Sequence, residues 1–179
     1  MMSSGPQPAS PASATSIDAR IKTATVVVAA IAAGVLFFAV IGTIAIKPFA
    51  QGREFNGQVA IPLVSFAFFA MLASIMFRRV SFQPLKLEQI GEAKGGAGLA
   101  AHLMRTTIVS AALAEAVGII GLVLGMLTGE TYYLYALCAI SLFGVLSNYP
   151  RANQWRRLSN EFNERARAGT TEGFGGGRR

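Results

Sequence analysis

A chain with one cysteine and one histidine has little from which to build a disulfide, a metal centre or a hydrolytic relay. Cys138 has no partner for an intrachain disulfide and reads as a small packing residue. His102 lies about 20 Å along one helix from Glu115, the only carboxylate inside an apolar run, so the two cannot act together. No cluster of His, Cys and carboxylates has metal-ligand spacing, and one histidine supports no Ser–His–acid set. The stretch AKGGAG lacks the full spacing of a phosphate loop and follows no strand. Neither an enzyme nor a bound metal or cofactor is expected. Charge is scarce as well. Charged residues make up 14% of the chain, against roughly 25% in an ordinary soluble domain. An ordinary soluble globular fold is thereby excluded.

What the chain has in excess is hydrophobic residues, 53% of the total. They concentrate in four runs, 25–46, 59–77, 106–127 and 132–149, each close to the ~20 residues that cross a bilayer as a helix. The last is the shortest, with Tyr132, Tyr133 and Tyr135 placed for one membrane interface and Tyr149 for the other. The expected fold is all-α: an integral membrane four-helix bundle over 23–149, with a Pro/Ser/Ala-rich disordered cytoplasmic tail at 1–22. Residues 150–179 are expected to form a cytoplasmic amphipathic helix and a disordered Gly/Arg tail. The start of the chain lacks a basic n-region, and the first run is too long for a signal-peptide core, so it reads as an uncleaved anchor.

The net charge of +7 follows the same division. Arg20 and Lys22 precede the first run, and Lys47 and Arg53 separate it from the second. Arg78, Arg79, Lys86, Lys94 and Arg105 lie between the second and third, none lies between the third and fourth, and the remainder follow the fourth. Such a bias reads as both termini inside, in a bacterial inner membrane facing anionic lipid headgroups. No aromatic–basic recognition module accompanies the charge, so nucleic acid is not expected as a partner.

Within the first run, Ala30 and Gly34 form a small-xxx-small pair that permits close helix approach. In the second, Pro62 falls in the first turn, where a missing N–H is harmless. The connection 78–105 begins with Gln83-Pro84, continues as the amphipathic stretch LKLEQIGEA and is broken by GGAG, which suggests a short interfacial helix and a hinge. After the fourth run, Trp155, Leu158 and Phe162 recur at helical spacing, with Arg156 and Arg157 on the opposite arc. That pattern suits a helix lying on the membrane surface, or one docked on a soluble partner.

The third run is the most patterned. Thr107, Ala111, Ala114, Gly118, Gly121 and Gly125 alternate at three- and four-residue steps, giving one helix face of small residues suited to close packing. Glu115 borders this stripe, about 15 Å from the flanking Arg105 and so near the middle of a ~30 Å hydrocarbon core. A charge there is unfavourable by about 2.5–3.5 kcal/mol even on mild insertion scales. Hydrocarbon disfavours the charged form, so the group is suited to taking up and releasing a proton, or to binding a cation with help from Ser110 and Thr107. The alternative is a carboxyl that only joins helices, hydrogen-bonded to a backbone carbonyl or to Ser65, Ser74 or Ser141.

The segment SAALAEAVGIIGLVLGML resembles the carboxylate-bearing helix of the rotor-ring proteolipid (subunit c) of F-type and V-type ATP synthases. The matching residues are Ala114, Glu115, Ala116, Ile119, Ile120, Gly121, Leu122 and Val123. The resemblance implies that Glu115 is the ion-carrying carboxylate and that the chain forms a homo-oligomer. A different expectation is a non-catalytic accessory or assembly subunit of a larger membrane complex, using the glycine stripe for packing. A small-solute transporter is disfavoured by the scarcity of polar residues in the first two runs.

Overall fold

A computed structural model describes residues 12–50 and 57–161. Five helices account for nearly all of them. Helix α1, Ala12–Ala50, carries the first apolar run. At ~1.5 Å per residue it is far longer than a hydrocarbon core requires. A single 3-10 turn, Gly57–Val59, leads into α2, Ala60–Ser81. Helix α3, Pro84–Thr128, starts with Pro in the first turn behind an extended Gln83, where proline's fixed φ suits a helix start. It is broken at Gly95, whose φ of 64° is left-handed and is readily adopted only without a Cβ. Gly129, also left-handed, closes α3 by donating its N–H to the Gly125 carbonyl at 2.9 Å. Helix α4, Thr131–Ser147, carries the fourth run, and among the described residues α5 runs over 152–161.

Helix α3 is the axis of the bundle. Half of its most apolar window is buried, against 17% for α1 and for α2, and it packs on each of the other three long helices. Val28 and Val145 close on Ala111 and Ala114. Ala67 of α2 and Leu137 of α4 close on Val117, Ile120 and Leu124. Further along, Ile46 sits against Gly125. Those pairings make α1 parallel to α3. Outside this seam the surface is apolar: Phe37, Phe66 and Phe143 are 59%, 63% and 73% exposed. Such a continuous apolar exterior is far larger than a soluble monomer tolerates. Four helices are long and apolar enough to cross a membrane.

Three expectations change. Residues 12–22 are helical, not disordered. Ile17 and Ile21, one turn apart, are buried with Ala24 in a cluster that includes Leu99, Leu103 and Trp155. The third helix begins well before 106, because past Gly95 the same spacing at Leu99 and Leu103 gives it a buried face. The third concerns α5. Trp155, expected at the membrane surface, is 3% exposed and forms part of the same protein cluster, so its indole is covered by this chain and not by lipid. Phe162, the rest of the C-terminal stretch and residues 51–56 lie outside the described residues.

Candidate functional site

The small-residue face of α3 is used within the chain. Ala111, Ala114, Gly118, Gly121 and Gly125 are buried. A Cβ on Gly118 would stand 3.1 Å from Ser141 Oγ, and one on Gly121 would stand 2.7 Å from Leu137 Cβ and 3.3 Å from the Tyr133 carbonyl. One on Gly125 would stand 2.6 Å from Ile46 Cδ1. These glycines let α1 and α4 approach α3 backbone to side chain, the close contact that stabilises helices where lipid supplies no hydrophobic drive.

Glu115 leaves the bundle at the edge of this face. Its neighbour Ala114 is fully buried, Glu115 is half-buried, and Ala112 and Ile119 on the same edge are exposed. Its carboxyl rests over Gly34 of α1, where a Cβ would lie 3.2 Å from Oε1. Gly34 thus forms a notch that admits the carboxyl, and the Ala30–Gly34 pair is the signal for it in the sequence. Among the described residues the carboxyl has neither a hydrogen bond nor an ion pair.

The proposed helpers lie elsewhere. Ser110 is five residues from Glu115, about 140° around the helix. Its carbonyl accepts a 2.8 Å hydrogen bond from Ser74 Oγ of α2, and its own hydroxyl is buried without a partner. Thr107 is buried about 80° around and two turns away. Ser65 bonds to the Ile61 carbonyl within its own helix, and the Ser141 hydroxyl has no partner. Among the described residues no hydroxyl is hydrogen-bonded to the carboxyl. Among the described residues no group of three or more His, Cys, Asp or Glu could hold a metal ion.

The far ends of the helices form a second polar region. Arg156 pairs with Asp18 at 2.9 Å, tying α5 to α1. Arg157 pairs with Glu161 within α5. Arg20 donates to the Ala97 carbonyl at 2.5 Å, just past the α3 break. Arg78 donates to the Ser147 carbonyl and, at 3.2 Å, to Asn148 Oδ1, placing a cation on the C-terminal end of α4 where the helix dipole favours it. Composition alone does not reveal Arg78 as a cap, since nothing in the sequence pairs it with position 147.

Fold and surface define an all-α bundle with four candidate membrane spans, which points to an integral membrane protein. Comparison with protein-family models, with curated proteins and with solved structures returns no match.

Proposed function

We propose that this integral membrane protein, with both termini cytoplasmic, reversibly binds a proton at Glu115 within the bilayer. The observation that carries this reading is the setting of one carboxyl: mid-helix on the axis of the bundle, seated in the Gly34 notch, open on one edge and unpaired. A carboxyl in hydrocarbon without a counter-charge favours its neutral, protonated form, and an open edge lets the proton exchange. A hard cation requires several oxygen ligands. With Ser110 and Thr107 on other faces, the proton is the favoured ion. The resemblance to the rotor-ring proteolipid agrees in kind, with a carboxylate on a helix running outward from a cytoplasmic polar segment. Ring assembly would need a face other than the glycine stripe, which closes on α1 and α4 of the same chain.

One observation favours a second reading, an accessory subunit of a larger membrane complex. The open edge beside Glu115 leaves room for a partner helix whose donor would complete the carboxyl's hydrogen bonding. Carbodiimide labelling in native membranes across pH separates the two, with Glu115→Gln as control and Na⁺ as competitor. Proton binding predicts labelling at Glu115 that fades as pH rises and is indifferent to Na⁺. Protection by Na⁺ would replace the proton with a cation. Absence of labelling in a correctly inserted protein would leave the accessory reading.

A further inference from the structure

Well away from Glu115, a cleft of about 180 Å³ opens between the last turns of α2 and α4. Met71 and Ile75 of α2 and Gly144 of α4 form its apolar part, and Arg78, Arg79 and Asn148 line its polar end. Arg78 is held in place by its bonds to Ser147 and Asn148 and lies 5.7 Å over the Phe82 ring. Arg79 is exposed. Among the described residues neither arginine has an ion pair with a carboxylate. Two guanidinium groups therefore line one end of the cleft with no carboxylate paired to them among the described residues.

Depth supplies the remaining constraint. Arg78 and Arg79 directly follow the apolar run 59–77, which puts the cations where hydrocarbon gives way to headgroups. Guanidinium groups recognise phosphate by charge-assisted, bidentate hydrogen bonds. A free phosphate would have no use for the apolar part of the cleft, whereas an acyl chain would fill it. A lipid with a net negative headgroup matches the unbalanced charge better than a zwitterionic one. We infer that the α2–α4 cleft is a binding site for an anionic phospholipid, its phosphate held by Arg78 and Arg79 and an acyl chain laid along Met71, Ile75 and Gly144.

The test is native mass spectrometry of the full chain in detergent, with phosphatidylglycerol and phosphatidylcholine of matched acyl chains offered in equal amounts. Arg79→Gln removes one cation of the cleft without touching the Arg78 cap on α4. Lys86→Gln removes the same charge from an exposed position at the same end. The wild-type protein is expected to retain phosphatidylglycerol preferentially. The site variant should weaken that retention about fivefold, and the control variant, screened by distance from the cleft, less than about twofold. Equal losses in both variants would mean a diffuse positive field and overturn the site. No preference between the lipids would overturn it too. Displacement of the lipid by millimolar inorganic phosphate would assign the cleft to free phosphate instead.

Discussion

Replacing Trp155 with alanine should release α5 while leaving the bundle folded. Trp155 is the only residue of α5 buried in the cluster with Ile17, Ile21, Leu99 and Leu103; Ala152 and Leu158 are partly buried against it. Truncating a buried Trp to Ala typically loses about 3–5 kcal/mol. An area estimate, ~150–250 Å² at ~25 cal/mol per Å², gives a similar about 4–6 kcal/mol as an upper bound. The other contacts of α5 are through smaller or only partly buried side chains, Ser159, Ala152 and Leu158. The Asp18–Arg156 pair is more than half exposed on both sides, and such pairs contribute about 0.2–1 kcal/mol. The four long helices close on one another along α3 in clusters that do not include Trp155, so the loss falls on docking of α5. At ~1.4 kcal/mol per factor of ten, a loss of about 3 kcal/mol raises the undocked population more than a hundredfold. Limited trypsin digestion reads that population through cleavage after Arg156 and Arg157. Trp155→Ala should speed this cleavage about a hundredfold or more at unchanged helical content, and Asp18→Asn less than about fivefold. An unchanged rate in Trp155→Ala, or a larger effect from Asp18→Asn, would refute hydrophobic docking of α5.

Gly121→Ala places a methyl 2.7 Å from Leu137 Cβ and should lower thermal stability in detergent by about 1–3 kcal/mol. Ala112→Leu, on the exposed edge of the same helix, should stay within about 0.5 kcal/mol. Ser74→Ala removes the 2.8 Å bond to the Ser110 carbonyl and should lose about 0.6 kcal/mol, and no more than ~1.7, in the same melts. Gly34→Val fills the notch 3.2 Å from Glu115 Oε1 and should drive the carboxyl outward. Carbodiimide labelling of Glu115 should then quicken several-fold with membrane insertion unchanged; slower labelling would mean that the notch does not seat the carboxyl.

The four long helices were legible because each carries an apolar run long enough to stand out from its flanks. What lies beyond hydrocarbon depth was less so. Ile17 and Ile21 sit among Ala, Ser and charged residues, where two isoleucines one turn apart make too weak a stripe to outweigh a tail-like composition. Leu99 and Leu103 are diluted in the same way by GGAG and by Lys94 and Arg105. The amphipathic character of α5 was plain, but spacing says only that Trp155 needs an apolar neighbour. Whether that neighbour is lipid or Leu103 is decided by tertiary structure. Ser110 and Thr107 share a helix with Glu115 yet face other directions, which angular bookkeeping at ~100° per residue separates and proximity in sequence does not. The small residues of α3 read as a packing face, and Gly118, Gly121 and Gly125 each meet a neighbouring helix within 3.1 Å of a missing Cβ.

Proton binding at Glu115 is tested most directly by infrared difference spectroscopy of the protein reconstituted in bilayers, with Glu115→Gln as the subtraction. The account predicts a carboxylic C=O band that is missing from the Gln variant, is lost as pH is raised, returns as pH is lowered, and is unmoved by Na⁺. Identical spectra for wild type and variant at every pH where both remain folded would contradict it.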